Sequence, residues 1–240
     1  MEKPFWAAAR RVPALWIEPD AYLRYQPVIE WLHRNGKNAK ILEIGSGDFG
    51  LVSYLKYPVV RTDIQFNRRS PAASRVQANA VKLPFRDKTF DLVFSADLLE
   101  HVHPQDRVRI VEESVRVSRK NVLMIFPCGG EAREQDFRIA RKFEKKRGMD
   151  MRVLKEHERF LFPEEKEIED WLKGLSSRTV RWTITKSFNL RLREFFISCW
   201  LRGHAGFVEG MMKLPLTSVF LHPGRCYRRV LAIESLSPSG

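Results

Sequence analysis

Cysteine is scarce: Cys128, Cys199 and Cys226 stand far apart along a 240-residue chain. Their number and spacing fit neither an even-numbered disulfide framework nor a zinc site, which points to a reducing compartment. Long apolar runs are missing as well. No uninterrupted stretch reaches the roughly 20 residues of a membrane-spanning helix. The apolar patch at residues 5–9 is cut short by Arg10 and Arg11 before it makes a cleavable leader. The expectation is a cytoplasmic protein, peripheral at a membrane at most. Acids are in deficit, with 29 Asp and Glu against 42 Lys and Arg, a formal charge of +13 and a pI near 9.9. Such a surplus suits an anionic partner such as nucleic acid, phospholipid head groups or a phosphorylated acceptor. It equally describes a solvated basic surface. Apolar content is not short: 44% hydrophobic residues suffice for a core and argue against disorder. The length fits one α/β domain with embellishments.

The most informative stretch is Ile41-Leu-Glu-Ile-Gly-Ser-Gly-Asp-Phe-Gly50. Ile41, Leu42 and Ile44 suit a central parallel strand covered on both faces. Gly45 and Gly47 let the backbone turn sharply and come closer to a ligand than a side chain would allow. Doubly wound sheets hold nucleotide-like cofactors at such a strand–turn–helix start. Read literally, Gly45-x-Gly47-x-x-Gly50 is a dinucleotide fingerprint, which is weak when alone.

Along the chain, residues 19–35 read as an amphipathic helix capped by Asp20 and ended by Gly36, with Tyr22, Tyr25, Val28, Ile29 and Leu32 at helical spacing. Tyr25 packs on the sheet or leans over the cofactor pocket. The glycine turn leads into a short helix at 51–56. A second strand at 59–64 carries Asp63, placed where an acid can take both ribose hydroxyls. A third strand is expected at 76–80, a fourth at 90–95, and a helix starting within 96–103. A further helix at 105–119 then precedes a fifth strand at 121–126. Strands and helices alternating at this length imply right-handed crossovers and a mainly parallel sheet.

Four segments together, ILEIGSGDFG, VVRTDI, ANAVKLPFRDKTFDLVFSADLLEHV and NVLMIFP, resemble the class I S-adenosylmethionine-dependent methyltransferases. They are most similar to the type 11-like subgroup, whose fourth strand follows an L-P-F-x-D-x-x-F-D loop. The resemblance covers residues 39–127 closely and the rest in outline. It implies a Rossmann-like, doubly wound α/β fold with a mainly parallel seven-stranded sheet, an antiparallel last strand and helical insertions. It divides one domain into a helical cap (1–38), a cofactor core (39–127), a helical insertion (128–175) and a last strand pair with a long connection (176–240).

The implied cofactor is S-adenosyl-L-methionine. Glu43 would fix the turn or reach the methionine ammonium, directly or through water. Gly45, Ser46 and Gly47 would pass beside the methionine and ribose. Asp63 would take the ribose hydroxyls and Ile64 would lie against the adenine. Asn79 would hydrogen-bond the adenine amino edge together with the Ala80 and Val81 backbone. Ser95, at the tip of the fourth strand, would line the methyl-transfer side. Two positions depart from the pattern: Phe49 stands where a third glycine is usual, with Gly50 one step later, and Asn79 replaces a commoner Asp.

Beyond Pro127, residues 129–174 form a charged, largely helical insertion. A sixth strand at 179–187 and a last strand at 227–234 are joined by a long connection with two apolar clusters, 195–201 and 207–221. Connections leaving the fifth and sixth strands start on the carboxyl edge of the sheet, where ligands bind, so both should rise over the cofactor. The second connection reads as core or lid, as a homodimer surface or as a monotopic membrane contact.

Methyl transfer chiefly requires alignment, and a base only for a poorly acidic hydroxyl or a protonated amine. The candidate bases are His101, after the fourth strand, and His157, in the insertion. His101-x-His103 lacks the nearby carboxylates of a metal site, so no metal is expected. The acceptor is expected to be a small molecule, glycan or lipid-linked group. RNA is the alternative on charge, although no stacking motif or N-P-P-Y-like tetrad accompanies it. A non-catalytic, cofactor-binding partner subunit is the third reading, and a dehydrogenase fits the loop before the fourth strand less well.

Overall fold

The computed structural model describes residues 19–36, 38–48, 50–53, 55, 57–66, 74–147, 160–174, 180–212 and 224–236. Phe49, His157 and most of the 207–221 cluster lie outside them. Helix α1 runs Pro19–Asn35 and begins with the proline, whose missing N–H costs nothing in a first turn. Asp20 therefore falls inside the helix rather than ahead of it. Gly36, at a φ of 82°, closes α1 with its N–H on the Leu32 carbonyl at 3.0 Å.

The strands are β1 Ile41–Ile44, β2 Val59–Asp63, β3 Arg75–Gln77, β4 Phe90–Ala96, β5 Ser118–Pro127, β6 Val180–Asn189 and β7 Cys226–Ser235. They form one sheet in the order β3-β2-β1-β4-β5-β7-β6. β1 to β5 pair in parallel, while β7 runs antiparallel to both β5 and β6. β7 is thus the one reversed strand, as the resemblance implied. β1 lies between β2 and β4, so the strand order reverses beside it and opens a crevice at the carboxyl edge.

Alternation along each strand separates the two core layers. Leu42, Ile44, Val93, Met124 and Phe126 pack with Ile110, Val111 and Val117 of α2 (Pro104–Val117) and with Ile168, Trp171 and Leu172 of the helix Glu165–Gly174. Ile41, Leu92, Phe94, Leu123 and Ile125 face the other way, onto Tyr25, Val28, Trp31 and Leu32 of α1.

Between β5 and β6 stand α3 (Gly130–Arg147) and α4 (Glu165–Gly174); between β6 and β7 stand α5 (Leu190–Leu201) and α6 (Ala205–Met212). Phe188, Phe196 and Val208 enclose Leu23 of α1, so one side of the long connection is core. Buried arginines hold these elements. Arg107 of α2 donates to the Leu99 carbonyl at 2.9 Å and to both Glu167 oxygens at 3.1 Å, and also bonds the Leu161 carbonyl. Arg193 of α5 meets Asp136 of α3 at 2.8 Å and lies 3.4 Å over the Tyr227 ring, whose hydroxyl donates to Asp136 at 2.7 Å.

Three expected elements differ. β3 is only Arg75–Gln77, because β2, the strand it pairs with, ends at Asp63, whose carbonyl takes the last bond from the Ala78 N–H at 2.9 Å. Of the helix expected at 51–56, the described residues show a 3-10 turn, Leu51–Ser53. The helix expected to start within 96–103 is another, Leu99–His101. Asp97 takes a left-handed φ of 58° just after β4, and Pro104 holds His103 extended and starts α2 afresh.

Candidate functional site

The site is built on the turn after β1. Gly45 and Gly47 have φ values of 68° and 55°, which only glycine adopts without strain. The N–H groups of Gly45 and Ser46 donate to the Thr62 carbonyl of β2, at 2.8 and 3.1 Å, folding the turn back over the neighbouring strand. Gly47 donates its N–H to Asp63 Oδ2 at 2.8 Å, and Ser46 Oγ donates to the Gly47 carbonyl at 3.0 Å. A Cβ at Gly45 would stand 2.6 Å from Leu98 Cδ1, so the turn sits directly under the segment beyond β4. A Cβ at Gly47 would meet nothing within 4 Å, leaving its Cα face open for a ligand.

Glu43 is tied into the turn itself. It is buried, with Tyr25 Oη donating to Oε1 at 3.0 Å and the Leu51 N–H donating to Oε2 at 2.8 Å. Both oxygens therefore brace the turn from below. Burial pushes its carboxyl up to about 7, against the opposing pull of those two hydrogen bonds and the Arg61 charge. Gly50, at a φ of 52°, is explained by the same acid, because a Cβ there would stand 2.6 Å from Glu43 Oε2. The displaced third glycine thus gives the buried carboxylate room.

The remaining cofactor candidates gather along the carboxyl edge. Asp63, half-buried at the end of β2, spends one lone pair on Gly47 and another on the Gln65 N–H at 3.3 Å. A carboxylate has further acceptor positions for a diol. Ile64 is 68% exposed, an apolar side chain offered to solvent beside the crevice. Asn79 is exposed and accepts the Val81 N–H at its Oδ1, 3.1 Å away. Its own turn uses the oxygen and leaves the amide NH2 to present outward. Ala80 and Val81 are half-buried beside it. Ser95 does not line the crevice: it is fully buried and its Oγ donates to Met124 Sδ at 2.9 Å. Every β4 residue is buried, and Ser95 shares the parity of Val93, so it points into the α2 layer.

At the tip of β4 is a cluster the sequence did not announce. Arg228 of β7 clamps the Asp97 carboxylate with two bonds, 2.9 and 2.7 Å, and Arg24 of α1 approaches it at 3.4 Å. Glu100 is buried close by, with Oε2 making no hydrogen bond. Burial and the Asp97 charge push its carboxyl well above the usual range. His101 stands at the end of the 3-10 turn, its Nε2 4.0 Å from Glu100 Oε1 and its side chain partly exposed. The arginine pair in Tyr227-Arg-Arg-Val230 was the available signal, since charges inside an apolar strand demand partners. Among the described residues no group of three His, Cys, Asp or Glu side chains is arranged to hold a metal.

This arrangement suits a cofactor with a diol and a flat apolar ring system: an acid at the β2 end, an exposed aliphatic next to it and an open glycine face. Residues 42–126 match the model of a family described as a methyltransferase domain. A probable S-adenosylmethionine-dependent methyltransferase of Mycobacterium tuberculosis is 30% identical over 125 residues, covering 48% of this chain and 45% of the relative. The chain therefore spans a little under half the length of that curated relative. Among solved structures, phosphoethanolamine N-methyltransferase 2 of Haemonchus contortus, in complex with S-adenosyl-L-methionine, aligns over 93% of this chain and 54% of its own. Its TM-score is 0.59 at 14% identity. A SAM-dependent methyltransferase of Archaeoglobus fulgidus aligns over 97% of this chain and all of its own, with a TM-score of 0.53 at 12% identity. At these identities the two structures share the fold.

Proposed function

We propose that this chain, whose residues 42–126 match the model of a methyltransferase domain, is an S-adenosylmethionine-dependent methyltransferase that binds its cofactor at the Gly45–Gly47 turn and methylates a small-molecule, glycan or lipid-linked acceptor. The observation that carries the reading is the open Gly47 face held by Asp63 beside an exposed Ile64. When bound, the cofactor supplies a methyl carbon already activated by its sulfonium. Asp63 accepts from the ribose hydroxyls with the lone pairs its own loop leaves over. Ile64 covers one face of the adenine, and the Asn79 NH2 donates to a ring nitrogen. The Asn79 oxygen, which accepts the Val81 N–H, keeps a second lone pair for the adenine amino edge.

The methyl end then lies toward Leu98 and the β4 tip, beside Asp97 and His101. The Arg228 clamp fixes Asp97, so that carboxylate orients groups rather than exchanging protons. His101, partly exposed at the rim, is the described group able to take a proton from a hydroxyl or ammonium acceptor. Orientation contributes most of the rate in such a displacement.

A screen with tritiated methyl donor against small-molecule, glycan, lipid and RNA pools tests the acceptor class. Label in one of the first three is the expected result. Label confined to RNA would replace the acceptor assignment, the version the +13 charge favours. No label anywhere, with cofactor demonstrably bound, would mark a binding subunit.

A further inference from the structure

The outer face of α5 and α6 does not behave like the inner one. Phe196 and Val208 are buried against Leu23, while Phe195 and Phe207 are 48% and 54% exposed. Arg191, Phe195 and Arg202 share one helical face at spacings of four and seven, and all three are exposed. Beside this face runs the outer stripe of α3, where Arg138, Arg141, Lys142 and Lys145 recur at three- and four-residue spacing and are exposed. The two surfaces adjoin: Lys142 and Arg138 both reach Glu194 of α5, at 2.5 and 3.8 Å. Glu194 is thereby spent on two cations. Glu134 and Glu144 on α3 only partly offset the stripe.

We propose that this face docks on an anionic phospholipid surface, with Phe195 and Phe207 entering the head-group boundary and the α3 stripe meeting lipid phosphates. Two protruding aromatics with a flanking cationic row is the surface that interfacial binding uses, since apolar insertion and charge attraction add. A nucleic-acid track interleaves its stacking rings with cations. The α6 sequence Ala-Gly-Phe-Val-Glu-Gly-Met-Met carries no Lys or Arg, so the exposed ring of Phe207 has no cation on its own helix. Phe195 stands between Arg191 and Arg202, but the bare protruding ring of Phe207 suits insertion among head groups rather than base stacking, which favours a bilayer over RNA.

The face is also connected to the site. Leu23, packed beneath α5 and α6, adjoins Arg24, which reaches Asp97, and Tyr25, which braces Glu43. Docking would hold the protein at the surface that carries a lipid-linked acceptor, which deepens the lipid-linked version of the proposed acceptor and rests on it for substrate. Membrane binding itself requires no cofactor, so the two readings fail separately.

Co-sedimentation of the full chain with vesicles of phosphatidylcholine alone, and with added phosphatidylglycerol, tests the surface. Binding is expected to the anionic vesicles and to weaken as salt rises. The double variant Phe195→Ser/Phe207→Ser should lose about tenfold or more in partitioning, and Arg141→Glu/Lys145→Glu a comparable amount. Circular dichroism and cofactor affinity should be unchanged in both, which separates lost docking from lost folding. Wild-type protein that ignores anionic vesicles at low salt overturns the proposal. So does equal partitioning of both variants, retention of RNA but not vesicles in parallel assays, or a dimer in sedimentation velocity that Phe195→Ser abolishes.

Discussion

On the cofactor side, the turn after β1 is shaped by backbone. Gly45 and Ser46 bond the Thr62 carbonyl, Gly47 bonds Asp63, and Leu51 bonds the buried Glu43. Elsewhere the bracing is by arginine side chains: Arg107 on Glu167 holds α4, Arg193 on Asp136 and Tyr227 holds α5 to α3 and β7, and Arg228 on Asp97 holds the β4 tip. A backbone-shaped turn requires particular residues at fixed spacing. A side-chain brace requires only that two partners meet in space, from anywhere in the chain. The first kind of region keeps one geometry, whereas the second can be rebuilt pair by pair.

Breaking a brace should have the largest effect. Arg193→Ala leaves Asp136 buried with its charge and should cost about 3–5 kcal/mol in denaturant unfolding. Arg193→Met, which fills the space beside Tyr227, should do no better, because the stranded Asp136 is the cause. Recovery in Arg193→Met would show that packing rather than charge dominates there.

The brace beneath the turn is tested by pH. The fold favours protonated Glu43, a contribution complete below its ordinary value of 4.5 and lost as pH rises to about 7. Wild-type stability should therefore decline across that window by about 3 kcal/mol from this group. Glu43→Gln should flatten the decline while carrying a constant offset, and parallel curves would contradict the assignment.

A smaller effect separates ligand contact from fold. Gly47→Ala should cost about 1–2 kcal/mol of backbone strain and in addition lower cofactor affinity about tenfold. Gly36→Ala, equally left-handed with open space around it, should show the strain alone.

That contrast also decides what was legible in the sequence. The β1 turn, Asp63 and the parallel sheet were readable because glycine conformation, strand-end placement and hydrophobic runs are local. The length of β3 was not, because an edge strand ends where its single neighbour stops pairing. Ser95 was misplaced because a strand buried on both faces gives no parity signal. The 96–103 segment failed as a helix because Asp97 adopts a left-handed conformation that glycine would have announced. Arg193 was invisible because arginine is ordinarily a surface residue; Arg228 stands out inside an apolar strand, but its partner, like that of Arg193, could not be read, the two lying 131 and 57 positions away. Phe195 and Phe196 read alike in sequence, and only packing shows that one is core and the other outward.

Calorimetric titration of S-adenosylmethionine into wild-type protein and Asp63→Ala bears most directly on the central assignment. Wild type should bind, and Asp63→Ala should bind at least tenfold more weakly while unfolding as a native protein does. Equal affinity in the two proteins would contradict a cofactor site at the Gly45–Gly47 turn.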